Sequence, residues 1–436
     1  MLTGTFSKLR KFFALVIGDF MLDTYTSGSI DRISPEAPVS VLHVTKKEFR
    51  SGGAGNVALG LKALGADVAV IGRVGKDRAG KLVKNTLEGE KILTQHLLTY
   101  SSYLTPIKDR LIAGRQQILR VDEEKILPLP EPAESRVMSA LEEMLCSATI
   151  VVISDYNKGF LTPSLLQKII KKAQQRSIPV LCDPKGADFS KYSGSLLIKP
   201  NVKEALMASG LEEHEGLDRI AQQLLCTAEI PYLLITRSGE GMSLFEKNLP
   251  GRHFPVKSRE VMDVTGAGDT VLATLASGIA SGLGMPQAID LANAAAGLAI
   301  ERLGCAAITL SALARRLLEM DTENKIFDET HLYALKKALE HQEFSLLVID
   351  TTVGITPELF RTIRKMTEKN RELLLYIRDP NPNEDLIHIL SSLSEVSFVI
   401  LKKESLDNLC QAIHPDEVHF LEKREEACFP PLFSSS

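Results

Sequence analysis

The chain has 436 residues, 44% of them hydrophobic, and a formal net charge of -4. That length suggests two to three domains, or one large and one small, with sizeable cores, and the near-neutral balance argues against a broad basic field for nucleic acid or an anionic membrane. Six cysteines without CxxC or Cys-His spacing argue against a disulfide scaffold or zinc site; no apolar run reaches bilayer-spanning length, so a reducing cytoplasm is the expected compartment.

Lys8, Arg10 and Lys11 before Phe12–Ile17 imitate a signal peptide. The run is short, however, and ends in Gly18-Asp19 without a small-residue cleavage site, so it reads as a buried strand. Similar runs recur at Val68–Ile71, Ile150–Ile153, Val180–Cys182, Leu196–Ile198 and Tyr232–Ile235. Runs buried on both faces and alternating with helical patterns predict a mainly parallel α/β sheet. Several end in polar residues or glycine: Gly18-Asp19, Ser154-Asp155, Asp183-Pro184, Pro200-Asn201 and Thr236-Arg237. In open α/β sheets the ligand crevice lies at the carboxyl ends of strands, so these ends predict one convergent site. Ser40–Val44 and Pro106–Asp122 alternate apolar and polar residues without a long helix between them, which predicts a small antiparallel sheet acting as a lid.

Three turns carry candidate chemistry. Ser51-Gly52-Gly53-Ala54-Gly55-Asn56 precedes a helix expected over Asn56–Ala63; its glycines admit close backbone approach, although a plain tight turn explains them too. Asn201-Val202-Lys203-Glu204 reads, taken alone, as a capping box. Asp263-Val264-Thr265-Gly266-Ala267-Gly268-Asp269 runs into a small-residue helix expected over Thr270–Ser281. Unpaired N–H groups and the positive dipole end make such a turn an anion site. A carboxylate beside it could take a hydroxyl proton; a helix cap is the plainer alternative. The nine histidines show no ligand spacing, and His43, His253 and His331 read as structural or surface residues.

After Leu310 a charged helical stretch, Ser311–Asn324, leads into a second α/β pattern with strands at Ser345–Asp350, Glu372–Ile377 and Val396–Leu401. The expected division is a first domain over 1–315, a linker over 316–326 and a second domain over 327–436, with a frayed tail at Phe429–Ser436.

Taken in order, Ser51–Asn56, Asn201–Glu204, Thr236-Arg237-Ser238-Gly239-Glu240-Gly241 and Asp263–Asp269 resemble the signatures of the ribokinase-like (PfkB) sugar kinase family across about residues 10–315. Finer stretches are similar to the kinase domain of the bifunctional heptose kinase/adenylyltransferases: Gly18–Tyr25, Arg32–Val39, Gln116–Asp122, Ser154–Gly159, Asp183–Phe189 and Asn293–Gly297. Ala113-Gly114-Arg115 departs from the expected form. The resemblance implies an α/β/α sandwich with a small β lid, followed by a small Rossmann-like domain.

The resemblance also implies roles. Asp269 would be the base, and Gly266, Ala267 and Gly268 the anion hole for the γ-phosphoryl of ATP. Asn201 and Glu204, with Val202 and Lys203 between them, would order nucleotide phosphates and Mg2+, Glu204 acting through water. Thr236, Gly239, Gly241 and Asn293 fall on the adenine-nucleotide side, where Asn293 could equally pin a helix contact. Asp19, Asp23, Gly52, Gly53 and Asn56 would bind the sugar. Lys185 and Arg120 are candidates for the sugar's existing phosphate, and Asp155 and Lys158 for completing its site; an exposed surface role competes for these four. The partners implied are ATP and a sugar phosphate, without nucleic acid or membrane, in a homodimer; monovalent-cation activation is left open.

In the bifunctional relatives the second domain is marked by Phe-Asp followed by His-x-Gly-His. Here Phe327-Asp328 is followed by a single histidine, His331, and the later Lys-Gly-Gly-Asp is replaced by His419-Phe420-Leu421-Glu422. The expectation is a degenerate nucleotidyltransferase-like domain, with an unrelated small α/β domain as the alternative. The activity implied is ATP-dependent phosphorylation of D-glycero-β-D-manno-heptose 7-phosphate at its anomeric hydroxyl. The alternatives are a kinase of another sugar, a non-catalytic sugar or nucleotide sensor, and a retained bifunctional enzyme.

Overall fold

The computed structural model describes residues 2–114, 116–256, 261, 263–302, 307–321, 325–327, 331–367, 371–401 and 405–421. Asp328 and the tail 429–436 lie outside them. The chain divides into two compact units, 8–309 and 1–7 with 310–436.

The larger unit is built on one long sheet. Its central path runs β12 (Arg252–Phe254), β11 (Met242–Glu246), β10 (Tyr232–Thr236), β9 (Leu197–Ile198), β8 (Val180–Asp183), β7 (Ile150–Ser154), β1 (Phe13–Ile33), β3 (Asp67–Gly75), β4 (Leu93–Tyr100). From β10 to β4 every neighbouring pair is parallel; β11 and β12 close one edge antiparallel. The apolar runs read from the sequence are these strands. Both faces are covered, as a parallel sheet requires. Leu15, Ile17, Val151 and Ile153 face one core with the helices Glu131–Met144, Pro163–Gln175 and Leu217–Thr227. Ala14, Val16, Ile150 and Val152 alternate to the other face and are equally buried.

On that second face the helices Ala54–Ala63 and Ala267–Ala280 pack against each other. Their contact depends on small residues: a Cβ on Gly60 would stand 3.1 Å from Ala273 Cβ, and one on Gly278 only 2.8 Å from Ala288 Cβ in the next helix, Met285–Ile300. Side chains of this size let helix axes come close, which fixes the Ala267 helix start above the sheet.

The lid differs from expectation. β1 does not end at Gly18-Asp19. Its first half pairs with β3 and β7, and its second half continues into a separate small sheet. There it pairs antiparallel with β2 (Ser40–Gly53) and parallel with β5 (Ile107–Ala113), which pairs antiparallel with β6 (Gln116–Glu123). The lid sheet is therefore mixed, because one strand serves both sheets. Gly18 permits the passage: a Cβ there would lie 2.1 Å from the Ser154 carbonyl oxygen.

The smaller unit has a five-stranded parallel sheet in the order β13 (Ile326–Phe327), β16 (Phe398–Leu401), β15 (Glu372–Ile377), β14 (Phe344–Ile349), β17 (Glu417–Leu421). Leu347, Ile349, Leu373, Leu375 and Ile377 pack with Leu359, Ile363 and Leu390 from its helices. Residues 316–321, expected in a linker, continue the helix Leu310–Asp321, which the short helix Leu2–Phe6 packs against.

Asp77 holds the β3 end in place. It caps the helix Arg78–Gly89 through Gly80 N at 2.7 Å and accepts Thr105 N at 2.8 Å. Asp77→Ala is expected to destabilise the larger unit by about 1 to 2 kcal/mol, seen as a lower midpoint in thermal unfolding; an unchanged midpoint would refute this role.

Candidate active site

The carboxyl ends of β7 to β10 and the start of the Ala267–Ala280 helix enclose a cleft of about 430 Å³. Its wall includes Asp155, Lys185, Asn201, Glu204, Thr236, Gly239, Gly241, Gly266, Ala267, Gly268, Asp269 and Asn293. Twelve positions singled out in the sequence thus meet in one place, at four of the five polar strand ends; Gly18-Asp19 does not line the cleft. Val202 and Lys203 do not line it; Val202 packs on the hydrophobic core.

Asp269 is buried in the first helical turn. Gly266 precedes it at φ 78°, a conformation that favours glycine, and turns the chain so that the helix begins at Ala267. Asn56 Nδ2 donates to Asp269 Oδ2 at 2.7 Å, and the Tyr156 hydroxyl donates to Oδ1 at 3.2 Å. Burial pushes the Asp269 carboxyl above its ordinary range, while Asn56, Lys199 and Tyr156 pull it down.

The residues expected on the sugar side join this group through β1 and β2. Asp19 Oδ2 accepts Tyr156 N at 2.9 Å and Lys158 N at 3.1 Å. Its other oxygen is buried without a partner among the described residues. Burial, reinforced by Asp155, pushes Asp19 up to about 6. Asp23 pairs with Arg110 at 2.7 Å. Gly52 and Gly53 are required here: a Cβ on Gly52 would meet Asp23 Oδ2 at 2.2 Å, and Gly53, at φ 59°, would meet Asp19 O at 2.5 Å.

Other candidates are already engaged. Asp155 accepts the Tyr192 hydroxyl at 2.6 Å, Lys191 Nζ at 2.8 Å and Asn157 N at 2.7 Å. Lys185 pairs with Glu204 at 2.6 Å on the cleft wall, whereas Arg120 sits on lid strand β6 and pairs with Asp122 at 2.8 Å. The two residues expected together at one phosphate therefore have different partners. Glu204 also closes a capping box with Asn201, so both readings of that motif hold at once. Asn293 donates to Pro255 O at 2.7 Å, which is the helix-pinning alternative.

Four contributors escaped the sequence reading. Lys199 is buried, pairs with Asp183 at 3.1 Å and lines the cleft beside Gly268. Burial pushes Asp183 up to about 6 against that lysine, with Asp269 and Glu204 adding to the rise. Tyr156 was legible only as part of a strand-end motif. Arg110 and Lys108 come from β5: Lys108 Nζ lies 4.9 Å from the Tyr156 ring centroid. Burial lowers the Lys108 ammonium, Lys158 and Arg120 add to this, and Asp23 opposes it. Two basic side chains of β5 thus stand beside Asp23 and Tyr156. Lysines at strand ends give no pattern that separates them from surface lysines.

The buried Asp19 gives a signed prediction. A carboxyl raised from 3.8 to about 6 favours the folded state below the unfolded value, and this contribution is lost as pH rises through 6. The neutral isostere Asp19→Asn is expected to raise stability at pH 8 by on the order of 2 to 3 kcal/mol, with the gain vanishing towards pH 4. Thermal unfolding at the two pH values checks this; a pH-independent difference would contradict it.

Comparisons with known proteins agree on the larger unit. A family model described as pfkB family carbohydrate kinase matches residues 13–313. A protein named Bifunctional protein HldE from Geobacter metallireducens is 45% identical over 306 residues, which is 70% of this chain and 62% of that relative. One of the same name from Geobacter sulfurreducens is 37% identical over 433 residues, spanning 92% of this chain and 86% of its own length. The structure of Arabidopsis thaliana ribokinase complexed with ribose and ATP superposes with a TM-score of 0.57 at 18% identity, covering 70% of this chain and 98% of that one. That last likeness concerns the fold.

Proposed function

The chain belongs to the pfkB family and is a carbohydrate kinase, and we propose that it phosphorylates D-glycero-β-D-manno-heptose 7-phosphate at the anomeric hydroxyl. The product is the 1,7-bisphosphate, on the route to ADP-heptose and the lipopolysaccharide core. The observation that carries this reading is the buried Asp269, set in the first turn of a helix and held by Asn56 from the glycine turn on the sugar side.

Asp269 takes the proton of the sugar hydroxyl as its oxygen attacks the γ-phosphorus of ATP; the bond to the bridging oxygen breaks and ADP leaves. N–H groups around Gly266–Gly268 and the Lys199 ammonium balance the charge on the transferring group. Asp19 and Asp23 hold sugar hydroxyls. Lys108, over the Tyr156 ring, favours an acceptor that already carries a phosphate, and Lys158 and Arg120 would join it by exchanging Glu124 and Asp122 for that phosphate. The apolar wall of Val256, Val261, Val264, Ala296 and Ile300 suits a purine ring. Glu204 and Asp183 present hard oxygen donors to the cleft, which fits Mg2+ arriving with ATP and neutralising its phosphates.

The smaller unit we read as a degenerate nucleotidyltransferase-like domain without transfer activity. Phe327 lies in an edge strand, and ligands of open parallel sheets bind at inner switch points instead. The chain spans 62% of one curated relative's length, so the second activity named in such proteins belongs to that reading alone. A sensor role is disfavoured because it has no need of Asp269. Incubation with magnesium ATP and a panel of sugar phosphates, followed by 31P NMR, is expected to show selective turnover of the heptose 7-phosphate and no ADP-heptose from the 1-phosphate. Preference for another sugar, or nucleotide transfer, would overturn the respective part.

A further inference from the structure

Tyr156 touches three working parts of the site, one through its backbone and two through its side chain. It follows β7, its backbone N–H holds Asp19 at 2.9 Å, its hydroxyl reaches Asp269 Oδ1 at 3.2 Å, and Lys108 of the lid strand β5 lies 4.9 Å from its ring centroid. The ring is packed against the glycine turn as well: a Cβ on Gly53 would stand 3.5 Å from Tyr156 Cδ2. The hydroxyl is therefore fixed by its backbone, the turn and the lid, and it points at a carboxylate whose other oxygen is already held by Asn56 at 2.7 Å.

We infer that Tyr156 is a positioning residue for phosphoryl transfer, its hydroxyl fixing the rotation of the Asp269 carboxylate. This rests on the kinase reading above, with Asp269 as the base. A carboxylate pinned at only one oxygen can rotate about its Cβ–Cγ bond; a second donor on the other oxygen stops that and leaves a defined lone pair for the incoming hydroxyl. The groups that face Asp269 are Asn56 and Tyr156 as donors, Lys199 as a cation, and Asp23 and Asp183 as anions. Burial and Asp23 favour the protonated form; Asn56, Lys199 and Tyr156 oppose it. Removing the Tyr156 hydroxyl therefore moves Asp269 further up.

Tyr156→Phe keeps the ring under Lys108 and the backbone bond to Asp19. On the heptose 7-phosphate, kcat is expected to fall about tenfold, the size of one hydrogen bond to a charged group. The acid limb of the kcat–pH profile is expected to move to higher pH, with KM for both substrates little changed. Tyr156→Leu, which also loses the ring, keeps the same displaced acid limb if it folds, judged by thermal melting. An unchanged kcat and acid limb in the phenylalanine variant would overturn the inference, as would a rise in sugar KM alone, which would make the hydroxyl a sugar ligand. A wild-type protein inactive on every sugar would instead overturn the kinase reading, so the two failures are separate.

Discussion

Burying carboxylates where strands end and a helix begins is the constraint on which the rest of this structure depends. Asp19 and Asp269 are buried and Asp183 is largely so, Asp183 and Asp269 on the cleft wall and Asp19 against the Tyr156 backbone, and burial drives all three carboxyls upward. Each is tolerated only because donors are placed against it: backbone N–H groups for Asp19, Lys199 for Asp183, Asn56 and Tyr156 for Asp269. Those donors come from distant parts of the chain, so the sheet and its small-residue helices must bring them within hydrogen-bond reach. The same arrangement serves chemistry. A desolvated carboxylate raised towards neutrality is a better proton acceptor than a solvated one.

The fold was legible to the extent that burial on both faces leaves continuous apolar runs. Each run from Ala14–Ile17 to Tyr232–Ile235 corresponds to a strand of the central sheet. The lid was less legible because its pattern is set by pairing. Nothing in Gly18-Asp19 signals that β1 passes through into a second sheet; the signal is a close approach to the Ser154 carbonyl that only the folded chain reveals. For the same reason the parallel partnership of β1 and β5 was not visible in an alternating pattern that read as an antiparallel sheet.

The site divides along the same line. Residues in short sequential motifs, such as Gly266–Asp269 and Asn201–Glu204, carry their geometry locally through turns and caps, and they line the cleft together. Lys199, Lys108 and Tyr156 act through neighbours remote in sequence, so their types gave no warning. Lys185 and Arg120 show the converse: phosphate-binding chemistry was readable in both, yet each is engaged by a different carboxylate. In the smaller unit the buried strands persist, while the remaining Phe327 stands at a sheet edge.

The account turns on Asp269 as the base. Its most direct test is the rate of ADP release from magnesium ATP in the presence of the heptose 7-phosphate, for the wild type and for Asp269→Asn, which keeps the size and the hydrogen-bonding shape of the side chain. The account predicts a loss in kcat on the order of a thousandfold, with ATP still bound and the fold intact. A variant that retains the wild-type rate to within about tenfold would contradict it.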